Sequence, residues 1–319
     1  MIRPTLLLAA SSVASAYTVV VNKHFMFKNI DPVVLPGTYN SHMHSFFGSD
    51  AVTLNTNSSK ELQAGCSTAE NPNDFSIYWV PTLYHVEGST HTPIFPGRFS
   101  AYYIGIEHAE VAIPQDYKVV VGNAKATSQA DVEDLAGIQW FCEGDPAEDK
   151  DLAAFPSSTC STMLQTLLLF HDCVNEETLE SAYSGVQNWK DGFKPANRCP
   201  AGMKRMPQLR FSIRYDLRGV LPTGWSGEPP LQLACGSSYC SHGDFINGWL
   251  PEAAEDMLLC TDKREFRAVE GPAGQHGEGS DCTARDADPN HGTSDYAESL
   301  AMMKRDLSQH MRRHSAHKH

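Results

Sequence analysis

Between Tyr17 and about Leu250, apolar and β-branched residues fall in short runs, some alternating with polar residues and some continuous. Residues 17–22, 75–80, 102–106, 117–121 and 209–215 are the clearest of these runs. Gly, Pro, Asn and Asp separate them, as tight turns require. Proline recurs along the same stretch, which excludes long helices there. The pattern predicts a mainly β protein, with a β-sandwich or barrel-like core, long loops and a few short helices. Good helix formers at 128–137 and 162–170 predict two of those helices.

Beyond this stretch the pattern changes. Residues 269–294 are rich in Gly, Asp, Pro and Ala and poor in apolar residues, which predicts a linker-like loop pinned by Cys282. Asp295 and Glu298 then stand at the spacing of a capping box. Leu300, Met303, Leu307 and Met311 follow at intervals of three and four, so a C-terminal helix over 295–312 carries one apolar face for packing on the domain. Residues 313–319 form a His-rich, basic tail. The organisation expected is a signal peptide over 1–16, one disulfide-containing β-rich domain over 17–268, then the loop, the helix and the tail.

The signal peptide is read from a basic residue, Arg3, a short apolar core and an Ala-x-Ala exit ending at Ala16. The apolar core is shorter than the roughly 20 residues needed to span a bilayer. The chain's other end is basic with no apolar tail, so no lipid anchor is expected. The chain carries 38 acidic and 25 basic residues, a formal net charge of −13. Such a surface disfavours nucleic acid and anionic membranes as partners. The nine cysteines all follow the signal peptide and none shows C-x-x-C spacing, so an oxidising compartment would pair most of them and leave one over. Cys235 and Cys240 flank a turn-forming stretch just before His242, which predicts a local bridge; the alternative is that each pairs elsewhere, for example Cys240 with Cys260. Asn57 opens the one N-glycosylation sequon, in a polar, turn-like stretch. Together these features describe a secreted, extracellular, disulfide-bonded glycoprotein.

Two clusters carry candidate chemistry. His42 and His44 are two apart, as are His242 and Asp244. In extended backbone, residues two apart share a face. Each pair is therefore placed to act as general acid and base near neutral pH, or to hold a metal. An Asp beside a His can also fix its tautomer or co-ligate the ion. The candidate catalytic residues are thus His42, His44, His242 and Asp244. The same four are the alternative ligands of a divalent metal, with Tyr84, Tyr102 and Tyr103 as candidate neighbours. Trp249, and Trp79 with it, could offer a sugar-stacking surface if exposed. No G-x-S-x-G elbow, H-E-x-x-H helix, Walker loop or post-strand G-x-G-x-x-G is present.

These clusters stand within a longer series of motifs. Asp31-Pro32 leads through Pro36-Gly37 to Ser41-His42-Met43-His44 and ends at Gly48. Tyr78-Trp79-Val80-Pro81-Thr82-Leu83-Tyr84 follows, then residues 101–104 and 119–122, Cys199-Pro200, Met206 to Leu209, and His242-Gly243-Asp244-Phe245 through Trp249. In this order the motifs resemble a family of secreted fungal and bacterial proteins, domain of unknown function number nineteen ninety-six. The family often pairs with carbohydrate-binding or cell-wall modules, so the resemblance implies a polysaccharide context. One departure is plain. The family's Asp-Cys-Trp-Asp-Gly segment survives only as Asp172-Cys173, and residues 180–185 stand where a histidine pair is expected. If that pair completes the family's site, the site here is altered. The reading is a protein that acts on or binds cell-wall or environmental polysaccharide through a His/Asp site. The alternative is a non-catalytic glycan- or metal-binding protein, or a structural wall protein.

Overall fold

The computed structural model describes residues 16–148, 150–185, 199–260, 266–279 and 282–305. The expected signal peptide up to residue 15, the end of the expected terminal helix and the tail lie outside the described residues. In chain order the strands are β1 (Tyr17–Asn22), β2 (His24–Lys28), β3 (His44–Gly48), β4 (Ile77–Pro81), β5 (Leu83–Glu87), β6 (Thr90–Pro93), β7 (Arg98–Ile104) and β8 (Lys118–Gly122). They continue with β9 (Gln139–Cys142), β10 (Leu164–Leu169), β11 (Cys173–Val174), β12 (Ser181–Ala182), β13 (Lys204–Arg205), β14 (Gln208–Tyr215), β15 (Leu231–Leu233) and β16 (His242–Ile246). Two short helices, α1 (Ser59–Leu62) and α2 (Pro251–Met257), and several 3₁₀ turns accompany them.

Two five-stranded antiparallel sheets dominate, with orders β1-β7-β14-β10-β9 and β2-β3-β4-β16-β8. Neither closes on itself, so the architecture is a sandwich-like core rather than a barrel. Alternation along the strands builds that core. In the second sheet Phe47, Tyr78, Val80 and Phe245 face the first sheet, while Phe46, Ile77, Trp79 and Ile246 face the other way. Across the interface Phe47 stacks on Phe99 with ring centroids 4.1 Å apart, and Phe211 packs on both Phe99 and Phe170. The outer face of the second sheet is also covered, by Ile30, Val52 and Leu62. Every residue of β3, β4 and β16 is therefore buried.

One expected element changes identity. Residues 162–170 form no helix; Leu164–Leu169 is strand β10, inserted between β9 and β14. Leucine favours helices intrinsically, but pairing on both sides and burial of Leu164 and Leu168 outweigh propensity. Residues 128–137 reach only two 3₁₀ turns, Gln129–Asp131 and Asp134–Ala136. Ser128 and Asp131 cap the first, and Gly137 at φ 55° closes the second.

Four disulfides join Cys66 to Cys282, Cys142 to Cys160, Cys173 to Cys199, and Cys235 to Cys240. Cys260 lies outside these four pairs. The Cys235–Cys240 pair has a Cα–Cα separation of 6.1 Å, within the limit of about 7 Å for a bridge. The late chain is fastened to the body. Asn71 and Asn73 donate to the carbonyls of Val269 and Gly274, and Lys28 reaches the Asp286 carboxylate at 2.7 Å. Residues 296–305 are helical. Asp295 caps that helix by accepting from the Glu298 amide at 2.8 Å, and Tyr296 packs on Tyr84.

Two outcomes follow from this packing. A Cβ on Gly243 would lie 2.7 Å from Leu168 Cδ1 and 3.1 Å from Phe211 Cε2, inside the sandwich. Gly243→Ala should therefore destabilise by about 1–3 kcal/mol, read as a fall of several degrees in Tm. His24 is packed among Phe27, Phe47 and Phe95, and burial lowers its pKa from 6.5 to about 4. A base depressed in the folded state binds fewer protons there than in the unfolded chain, so stability is lost as pH falls through that window. His24→Gln should flatten the dependence of Tm on pH between about 6.5 and about 4.

Candidate metal centre

The second sheet places the site in register. Antiparallel pairing sets His44 opposite Pro81, Phe46 opposite Trp79, and Trp79 opposite Asp244. Two residues back along β16 from Asp244, His242 reaches the level of Pro81. His44 and His242 thus stand on strands either side of β4, on the sheet's outer face, with the low profile of Pro81 between them. Their rings approach over it to a centroid distance of 5.7 Å. His42 is two residues before His44 and joins them from the lead-in to β3, its ring 4.2 Å from that of His44 and 4.9 Å from that of His242. On the far side of β16, Gly122 pairs with His242; a Cβ there would strike the His242 backbone at 2.8 Å.

The three imidazoles converge by their Nε2 atoms. His242 Nε2 lies 3.1 Å from that of His42 and 3.4 Å from that of His44. Backbone carbonyls fix two of the tautomers. His44 Nδ1 donates to Ile30 O at 3.0 Å, and His242 Nδ1 donates to Cys240 O at 2.8 Å. Burial holds both rings neutral, with His242 lowered to about 4 and His44 and His42 driven well below the ordinary histidine value. A neutral ring that donates from Nδ1 carries its lone pair on Nε2. Two lone pairs therefore face each other across 3.4 Å, and only His42 can donate into the cluster. His42 is half-buried and stands at the rim.

Asp244 completes the arrangement. It is fully buried, and neither carboxylate oxygen has a hydrogen-bond partner among the described residues. Oδ2 lies 3.9 Å from His242 Nε2, too far for a hydrogen bond. Burial, and then the charge of Asp31, push its pKa well above the ordinary carboxylate range. An unpaired buried carboxylate beside converging lone pairs is costly without a cation. The nitrogens fit one. Tetrahedral bonds of about 2.0–2.1 Å to imidazole nitrogen place the nitrogens about 3.3 Å apart, against 3.1 and 3.4 Å here. A ring nitrogen of each histidine lies within 4.8 Å of the other two. Carbonyl-anchored imidazoles are also the usual outer shell of a metal site.

The three histidines thus converge, with Asp244 beside His242 but outside the group whose donor atoms lie within 4.8 Å of one another. The tyrosines do not share their face. Tyr103 bonds Tyr78 at 2.7 Å inside the sandwich, and Tyr102 lies under Arg210 on the first sheet. Tyr84 packs with Met43 and Ala234. Trp79 and Trp249 are fully buried, so neither offers a stacking surface. Sequence reasoning did not reach Ile30, the carbonyl of Cys240, Pro81 or Asp31. The last was visible only as part of the lead-in motif. The departing segment lies elsewhere. Asp172 binds Arg205 at 2.8 Å and the Ser184 hydroxyl at 2.8 Å, and His171 bonds Ser181 at 2.7 Å. None of residues 171–185 is among the hydrogen-bond or ring partners of the three histidines in the described structure.

No curated protein and no solved structure matches the chain. A family model, Domain of unknown function (DUF1996), matches residues 31–249, which is more than half of the chain and contains all four candidate site residues. The chain belongs to that family.

Proposed function

We propose that this protein binds one divalent transition-metal ion through His42, His44 and His242, with Asp244 as the neighbouring carboxylate. The observation that carries the reading is the convergence of three Nε2 atoms, two of them with lone pairs fixed by the carbonyls of Ile30 and Cys240. Three imidazoles and a carboxylate form a borderline donor set suited to zinc and its first-row neighbours. When bound, such an ion supplies Lewis-acid polarisation and an acidified water. The chain's own groups do the rest. His44 and His242 stay fixed and neutral, Asp244 offsets positive charge, and the half-buried His42 marks the side from which a substrate approaches. We further propose that the protein is exported and acts on polysaccharide. Four disulfides support the first part, as does the exposed Asn57 of the sequon. Among the described residues no helix is long and apolar enough to cross a membrane.

Elemental analysis of protein purified without chelator should find about one equivalent of a divalent transition metal, lost in His44→Ala and His242→Ala. Stripping the metal should lower Tm, since a ligand at about 1,000 times its Kd stabilises by about 4 kcal/mol. Metal-free preparations that bind no added zinc, copper or manganese would refute the proposal. Replacing Cys235 and Cys240 by serine frees the carbonyl that orients His242. Metal affinity should then fall by about 10- to 100-fold, measured by competition with a chromogenic chelator. Reducing-end release across a polysaccharide panel should be abolished by chelator and by His42→Ala. Metal binding with no release on any polysaccharide would favour the non-catalytic alternative.

A further inference from the structure

A second region, with none of its lining residues in the histidine cluster, has the composition of a ligand site. The chain crosses from the edge of one large sheet to the edge of the other through the single residue Lys23, between β1 and β2. Two adjoining cavities open there, of about 480 and 760 Å³, and share five lining residues, among them Lys23, His24 and Arg98. His24 sits four residues along β2 from Lys28, which pairs with His44. The lining continues along β2 as far as Phe27, which pairs with Ser45, the residue after His44.

Two features distinguish this groove. The first is Phe95, which is 65 % exposed. Leaving a phenylalanine in water forgoes about 1.5–3 kcal/mol of burial. Yet the ring is held in place, edge to face against His24 at 5.5 Å and against Phe27 at 4.8 Å. It is a fixed apolar platform rather than a loose side chain. The second feature is charge. In a chain of net charge −13, the groove presents Lys23 and Arg98, both exposed and neither ion-paired among the described residues. Arg98 Nε donates to Ser100 Oγ at 3.1 Å, which orients the guanidinium. Among the described lining residues, Glu70 on the wall of the larger cavity is the acidic one, against the two cations.

We infer that this groove binds an acidic oligosaccharide, a chain of uronic-acid sugars. The platform would stack the apolar C–H face of a pyranose ring, and Arg98 and Lys23 would take the carboxylates, Arg98 through its two-pronged geometry. A neutral glycan would leave both cations unused, and an acidic peptide would leave the flat ring face without a flat partner. The inference does not depend on the metal reading, because the groove shares none of its lining residues with the histidine cluster.

The test uses the full-length protein stripped of metal by chelator, titrated calorimetrically with hexagalacturonate and hexaguluronate, and with cellohexaose as the neutral control. At least one acidic hexamer should bind, more weakly as NaCl rises from about 0.05 M to about 0.5 M, with cellohexaose at least tenfold weaker. Phe95→Ala and Arg98→Glu should each weaken binding by about tenfold or more, equivalent to about 1.4 kcal/mol, with metal uptake unchanged. Because both side chains are exposed, these variants should fold. Absence of binding to both acidic hexamers, equal binding of cellohexaose, or wild-type affinity in both variants would overturn the inference. So would binding of a poly-glutamate peptide in place of the sugars. Failure of metal uptake in the same preparations would bear on the metal centre alone.

Discussion

Two backbone carbonyls, those of Ile30 and Cys240, decide the character of the centre of this molecule. By accepting the Nδ1 protons of His44 and His242 they turn both Nε2 lone pairs toward one point. Burial then removes the option of protonating the rings to relieve the repulsion. Everything that positions those carbonyls therefore belongs to the site. The Ile30 carbonyl precedes Asp31, whose Oδ1 accepts from the amides of Val33 and Val34 and shapes the turn. The Cys240 carbonyl is held by a bridge closed over five positions, to Cys235.

The sheet supplies the second constraint. Imidazoles on β3 and β16 can meet only if the strand between them puts little in the way, and β4 ends there in Pro81. A larger side chain pointing to the same face would part the rings. Proline also has no amide hydrogen to donate to the ladder, so β4 ends at the level where the rings meet. One row along, Phe46, Trp79 and Asp244 face the same side. The carboxylate thus shares its face with two aromatic side chains, and neither of its oxygens has a hydrogen-bond partner among the described residues.

Much of this was legible in the sequence, and the illegible part has a physical cause. The i, i+2 spacing of His42 with His44 and of His242 with Asp244 fixed which side chains share a face, because strand periodicity is local. What spacing cannot reveal is which strands lie beside one another. The pairing β3-β4-β16 joins segments roughly 200 residues apart, and the contributions of Ile30, Pro81 and the Cys240 carbonyl exist only through it. The same limit explains residues 162–170. Their leucines suit a helix in isolation, and only the neighbouring strands β9 and β14 make them a strand. The local bridge between Cys235 and Cys240 was readable because Gly236 and the serines after it permit the tight turn that brings the two Cα atoms within bridging reach.

The bridge from Cys66 to Cys282 is of another kind. Three of the four disulfides close over at most 26 residues, whereas this one spans 216. As the chain is synthesised, Cys66 must wait while the seven cysteines between it and Cys282 emerge. Each of them can react with it first, and every such adduct must be undone before the correct partner arrives. Wherever such an adduct forms, thiol exchange and not oxidation alone restores the final connectivity.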